Sequence, residues 1–494
     1  MCNFAVTFVT FLVESCRLIT DFEMSLNKFF LKQIIENFQF EPTSQQAEAL
    51  ELITNFLFQP QSDGLFLLKG YAGTGKSSLI GALVKTMTEL KQKTVLLAPT
   101  GRAAKVFGAY ADHPAYTVHK KIYRQKRFSD QATDFVPMDN LYKDTLFIVD
   151  EASMLSNDGI DSYIFGSGRV LDDLIQYVYG GENCRLLLIG DEAQLPPVMQ
   201  EVSPALQIDT LKGYGLDVFS TTMTQIVRQG EGSGILYNAT EIRNALLNET
   251  TGLFPKIKLN DFPDIKNVGG DELIDTINAM YDRDGIDDCM VITRSNKRSN
   301  IYNDGIRNRI LYREEELSTG DMLMITKNNY FWTENIDQVD FLANGELVEV
   351  LRVRKTQELY GFRFADVLVK HPDYDIELEL KILLDTLHSE TTGLSKEKNG
   401  ELFYNILEDY SDIRSNAAKM QKMKTDPFYN AVQVKYGYAI TCHKAQGGEW
   451  KNVFLDIGYI SEEHLGINFY RWLYTAITRA TKQLYFVNLP EEFL

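Results

Sequence analysis

Short apolar runs recur along the chain, each bounded by turn residues and too dense in apolar side chains to alternate. They are 65-LFLL-68, 94-TVLLAP-99, 145-TLFIVDE-151, 186-LLLIGDE-192, 289-CMVITRS-295, 453-VFLDIG-458 and 484-LYFVN-488. A strand covered on both faces loses the period of two, so these runs predict buried strands of parallel sheets with helices between them. They fall into two groups, one before residue 200 and one after residue 288, which predicts two α/β domains in tandem. Between the later strands the texture changes. Residues 341–370 alternate apolar and polar positions with turn residues between, the pattern of a small antiparallel barrel inserted into the second domain. Residues 401–420 place Leu402, Ile406, Leu407, Tyr410 and Ile413 on one helical face, which predicts a core-facing helix.

At 494 residues the chain is long enough for more than one core. Its five cysteines, at 2, 16, 184, 289 and 442, form no Cys-x-x-Cys pair. A disulfide framework and a thiolate metal site are therefore not expected, which suits a reducing, cytoplasmic setting. The apolar start, 4-FAVTFVTFLV-13, is too short to span a bilayer and lacks a basic leader and cleavage site, so it reads as an extension before Met24. No membrane association is expected. The formal net charge of −18 opposes nucleic-acid binding overall, but a local basic groove can sit on an acidic body.

Five stretches carry the chemistry of a nucleotide site. In 70-GYAGTGKSS-78, Gly70, Gly73, Thr74, Gly75, Lys76, Ser77 and Ser78 lie between a strand and a helix. Glycines there let backbone N–H groups close on phosphate oxygens, Lys76 reaches the outer phosphates, and Ser77 offers an oxygen to Mg²⁺. Asp150 and Glu151 end a buried strand, where one carboxylate can hold Mg²⁺ through water and its neighbour can orient or deprotonate a water. Gln194, in 190-GDEAQLPPV-198, ends another strand and can both donate to and accept from a γ-phosphate or its water. Arg228 and Arg479 come from separate segments, and together could bring positive charge to one γ-phosphate as two domains close. Arg479 lies on a run resembling a helix start. Elsewhere, Pro99, Thr100, Gly101 and Arg102 end a strand and start a helix, a phosphate-binding arrangement that reads no bases. Lys120, Lys121, Arg124, Lys126 and Arg127 surround Ile122 and Tyr123 in the strongest basic cluster, with 122-IYRQKRF-128 as one arm of a hairpin. A second tract, Arg294, Lys297, Arg298, Arg307 and Arg309, follows the strand 289–293.

The ordered set of 70-GYAGTGKS-77, 98-APTGRAA-104, Asp150-Glu151, 190-GDEAQLPP-197, Arg228-Gln229, 441-TCHKAQGGEW-450 and 475-TAITRAT-481 resembles the superfamily 1 helicases, most of all their RecD/Dda/Pif-type branch. The resemblance covers about residues 43 to 488. It implies two tandem RecA-like domains, with a small wedge in the first and an SH3-like barrel in the second. The implied limits are 1–28 for the extension, 29–225 for the first domain with its wedge at about 108–142, 226–318 with 434–494 for the second, and 319–433 for the barrel. It implies ATP and Mg²⁺, single-stranded DNA and its junctions with duplex as partners, action as a monomer, and movement from 5′ to 3′. By resemblance Lys76, Glu151, Gln194, Arg228 and Arg479 are catalytic, and Ser77 and Asp150 meet the metal. Gln46 reads adenine, while Gln446, Gly447 and Glu449 lie near the nucleotide. Thr117, His119, Lys120, Lys121, Thr441 and His443 join Pro99–Arg102 at DNA. The alternative is a DNA-stimulated ATPase that remodels nucleoprotein or switches binding without processive unwinding.

Overall fold

The computed structural model describes residues 26–60, 63–125, 135–159, 166–227, 232–334, 336, 339, 341–372 and 375–494. Arg228 with Gln229, Lys126 with Arg127, and the extension before residue 26 lie outside them. The first domain is built on six parallel strands in the order Ala115–Thr117, Lys93–Ala98, Thr145–Val149, Arg185–Gly190, Gly64–Gly70, Asp217–Met223. The strands lack alternation because both faces are covered. Leu65, Leu67, Phe147 and Val149 face one core, and Phe66, Leu68, Leu146 and Ile148 face the other. That second core is closed by Phe30 and Ile34 of the helical stretch 26–37 and by Leu50 and Ile53 of the helix Ser44–Leu57.

Five parallel strands form the second domain's sheet, in the order Ala439–Thr441, Cys289–Thr293, Trp450–Asp456, Ala480–Val487, Ile265–Val268. The two domains are RecA-like, each sheet carrying helices on both faces. Near the first sheet, Tyr123–Gln125 pairs antiparallel with Phe135–Pro137, forming the base of the expected hairpin. The strand Ala115–Thr117, which falls inside the expected wedge limits, belongs to the main sheet instead.

The insert is a closed five-stranded barrel of Met322–Ile325, Leu347–Leu359, Phe362–His371, Ile376–Leu383 and Val432–Tyr436. Its last strand straddles the expected limit at 433. The expected single helix over 401–420 is corrected. One helix, Lys396–Glu408, buries Leu402 and Ile406, and a second, Asn416–Lys424, starts at a Ser415 cap. Tyr410 and Ile413 lie in the break between them, and Tyr410 donates its hydroxyl hydrogen to Asp426. The pair packs on Phe362, Phe364 and Leu383 of the barrel. Among the described residues no helix is long and apolar enough to cross a membrane, and Cys184, Cys289 and Cys442 are buried free thiols.

Candidate functional site

The two sheets present their carboxyl-end turns to a shared cleft of about 400 Å³, where ligands of open α/β sheets collect. On the first-domain side, the turn after Gly64–Gly70 carries Gly73 and Gly75 at φ +79° and +82°. Both are left-handed positions that suit glycine, and they turn the chain into the helix Lys76–Glu89. Lys76, Ser77, Ser78, Asp150, Glu151 and Gln194 all line this cleft. Lys76 Nζ donates to Gly70 O at 2.6 Å and Tyr71 O at 3.0 Å. Gln194 is buried and its Oε1 lacks a hydrogen-bond partner, an orphaned acceptor that a water or phosphate hydroxyl would satisfy.

The second domain contributes Glu449 and Arg479. Arg479 follows the helix Ile467–Ile477 and immediately precedes the strand Ala480–Val487, so it sits at a helix end rather than a helix start. It is 4% exposed, and its guanidinium is fixed by Thr475 O at 3.0 Å and Gly448 O at 3.2 Å. Its Nη1 lies 4.0 Å from Glu151 Oε1, so charges from the two domains face each other over the loop. Burial pushes the Glu151 carboxyl up to about 7, with Arg479 opposing and Asp150 reinforcing the shift. Burial also raises Asp150, whose Oδ1 accepts from Glu151 N at 2.8 Å. A base near neutrality is poised to take a proton from water.

Several expected residues lie elsewhere. Gln46 does not line the cleft. It is buried in a capping box with Thr43, and its amide donates to Thr74 O at 3.1 Å, so it clamps the phosphate loop from behind. Gly70 and Thr74 stand behind the cleft wall too, with Thr74 Oγ1 donating to Tyr71 O. Gln446 lines a different cleft, and Gly447 packs against Thr100 and Ala103 of the first domain.

That other cleft, about 700 Å³, brings together Thr100, Gly101, Arg102, Thr441 and His443 with Arg294 and Lys297 of the second basic tract. Thr100 caps the helix Gly101–Ala111 by accepting from Ala103 N. Arg102 lies over the Trp450 ring at 4.0 Å, and a Cβ on Gly101 would collide with the barrel residue Glu346. Lys444, passed over in the motif reading, also lines this cleft. Its Nζ is buried without a partner, and burial lowers its pKa to about 8. Arg298 and Arg307 of the second tract are structural. Arg298 pairs with Asp456 at 2.7 Å, and Arg307 makes a buried fork with Asp321 at 2.9 Å. Arg309 is exposed and does not line the cleft.

Thr117, His119, Lys120 and Lys121 do not line this cleft either, nor does Pro99. Thr117 is a buried cap that accepts from Lys120 N, and burial lowers the His119 pKa to about 4. Lys121 lies between the Tyr116 and Tyr142 rings, at 4.7 and 4.8 Å. Ile122 and Tyr123 are core residues, the latter bonded to Asp173 at 2.7 Å.

The two clefts are joined by contacts that motif spacing does not reveal. Tyr474, from the second domain, donates to Asp191 Oδ2 at 2.8 Å and accepts from the phosphate-loop Ala72 N at 2.8 Å. The backbone of Leu195, next to Gln194, is held at both ends. Its N–H donates to Thr475 Oγ1 at 2.9 Å, and its carbonyl accepts from Gln446 Nε2 at 2.8 Å. Val227, the residue before Arg228, donates to Gly73 O at 2.8 Å. Among the described residues no group of three or more His, Cys, Asp or Glu could hold a metal by itself.

A phosphate loop in one RecA-like domain, faced by a buried arginine from a second, defines a P-loop ATPase of the helicase class. Residues 42–251 match the family described as an AAA domain, and residues 436–487 match the UvrD-like helicase C-terminal domain. The chain is 25% identical over 438 residues to the ATP-dependent RecD2 DNA helicase of Deinococcus radiodurans, covering 85% of this chain and 46% of that protein. It is 23% identical over 452 residues to the ATP-dependent DNA helicase dda of Enterobacteria phage T4, covering 85% and 93%. A solved Pif1 helicase from Bacteroides, in complex with ADP-AlF3 and ssDNA, aligns over 92% of this chain and 95% of that one, with TM-score 0.46 and 15% identity. The chain is similar to the superfamily 1 helicases, most of all to their RecD/Dda/Pif-type branch, and it is an ATP-hydrolysing enzyme.

Proposed function

We propose that the chain moves along single-stranded DNA from 5′ to 3′ and unwinds duplex at single-strand junctions, coupling each step to ATP hydrolysis. The observation that carries this is the Leu195 clamp. Gln446, in the phosphate-suited cleft, holds the backbone next to Gln194, in the nucleotide cleft. Strand and nucleotide would thus bias one set of interdomain contacts. Lys76 turns from its loop carbonyls to the outer phosphates, and Gln194 orients the attacking water. Glu151 takes its proton, and Arg479 meets the charge developing on the γ-phosphoryl group. Arg228 is the second such arginine, a role supported by the bond from Val227 to the phosphate loop. Ser77 and Asp150, which both line the nucleotide cleft, would hold Mg²⁺, a small protein share that suits an ion held mainly by phosphates and water. When bound, it supplies charge neutralisation on the β- and γ-oxygens.

Thr100, Gly101, Arg102, Lys297, Thr441, His443 and Lys444 hold the strand's phosphates, and closure on ATP shortens the distance between grips in the two domains. The kinship with helicases named for DNA unwinding supports this substrate. Partial duplexes carrying a 5′ or a 3′ tail test the reading. Strand separation is expected from the 5′-tailed substrate only. Unwinding from the 3′ tail alone would reverse the direction, and DNA-stimulated ATP turnover without any unwinding would favour a remodeller.

A further inference from the structure

A second interdomain cavity, of about 240 Å³, adjoins the nucleotide cleft and shares Tyr71 with it. Past Gly190 the chain sends Asp191 to the nucleotide cleft, and Glu192 and Ala193 to this cavity. The second domain supplies Arg243, from the helix Gly234–Leu247, and Arg471, from the helix Ile467–Ile477. Arg243 is 9% exposed, and among the described residues no carboxylate pairs with it. Its Nε has no hydrogen-bond partner, its Nη1 reaches Thr224 O only at 3.5 Å, and its plane lies over the Tyr71 ring at 4.6 Å. Asp191 and Glu192 lie close enough to act on the same Tyr71 hydroxyl, but neither bonds to this guanidinium, and a ring face compensates its lost hydration only in part. Arg471, half-buried, adds a second positive charge to the same wall, where its guanidinium donates to Glu201 O. Among the described residues lining the cavity Glu192 is the one carboxylate, and Lys69 holds its Oε1 at 2.7 Å, which leaves Oε2 to accept a hydrogen.

We propose that this cavity is a binding site for inorganic orthophosphate, with Arg243 and Arg471 taking the oxyanion and Glu192 accepting the hydrogen of the phosphate's own hydroxyl. Sulfate, fully ionised at neutral pH, has no such hydrogen and leaves the Glu192 carboxylate facing an anion. Bound phosphate would brace Tyr71, in the phosphate loop, against two helices of the second domain. The site does not depend on movement along DNA, so its test is separate from that of the motor.

Calorimetric titration of inorganic phosphate into the full chain, saturated with a non-hydrolysable ATP analogue and Mg²⁺, keeps the anion out of the nucleotide cleft. One site is expected, binding phosphate about tenfold or more tightly than sulfate. Arg471→Gln should weaken phosphate about tenfold by removing a charge-assisted contact. Glu192→Gln should abolish the preference over sulfate. Arg243→Gln should weaken both anions, and if this buried change prevents folding, the Arg471 and Glu192 variants decide alone. Absence of phosphate binding, equal sulfate binding by the unaltered chain, or an unchanged affinity in Arg471→Gln would overturn the assignment.

Discussion

Glu151 holds a left-handed backbone position, φ +51°, just past the end of its strand, burial raises its carboxyl to about 7, and the proposed mechanism makes it the base. A base must be ionised to work. The kcat/KM for ATP should therefore climb as pH rises through about 7 and level off above it, and Glu151→Gln should lose about 10²–10⁴ in kcat together with that limb. A flat profile in the unaltered chain would remove Glu151 as the base. Lys444 titrates with the opposite consequence. Its depressed pKa means that the ammonium loses its proton as pH rises through about 8, so affinity for single-stranded DNA should weaken over that range. Lys444→Met should bind more weakly at pH 7 and show no such weakening, which fluorescence anisotropy can follow. Residues at this scale were legible where a motif is contiguous, because Asp150, Glu151 and Gln194 closely follow apolar runs and Lys76 closes a glycine-bearing turn between strand and helix. For Gln46 the pattern was ambiguous, because a glutamine three residues into a helix also serves a capping box, which it does here.

At the scale of elements, the long buried strands were readable and the edge strands were not. Ala115–Thr117, Ala439–Thr441 and Ile265–Val268 are three or four residues long, too short to establish a pattern. The helix Ile467–Ile477 was masked by the TAITRAT motif at its end, and its contribution through Tyr474 depends on partners hundreds of positions away. Tyr474→Phe would leave both Ala72 N–H and the buried Asp191 carboxylate short of a partner. Chemical denaturation should show a loss of about 1–3 kcal/mol, the cost of unsatisfied buried groups. Because one of them belongs to the phosphate loop, kcat/KM for ATP should also fall, by about tenfold for one lost hydrogen bond. A stable variant with unaltered turnover would limit Tyr474 to packing.

Across the whole molecule, a net charge of −18 coexists with a cleft where Arg102, Arg294, Lys297, His443 and Lys444 converge from two domains. Composition hid that convergence, since two of the five basic residues in the tract after residue 293 are spent on ion pairs with Asp456 and Asp321. DNA affinity should fall linearly with salt on logarithmic axes, with a slope of about −0.7 per phosphate held, and Lys297→Ala should reduce the slope by about that amount. A slope indifferent to Lys297 would place the strand elsewhere. The barrel leans on the same cleft, with Lys105 of the first domain bonded to Pro372 O and Glu346 set against Gly101. Its two final strands, Ile376–Leu383 and Val432–Tyr436, run side by side in the same direction. A hairpin cannot connect strands so arranged, because the chain must travel back the length of the sheet before entering again. Residues 384–431 are that return journey. Trimming them to a tight turn would open the barrel, whereas a flexible tether long enough to make the trip would keep it shut and remove only the helical pair.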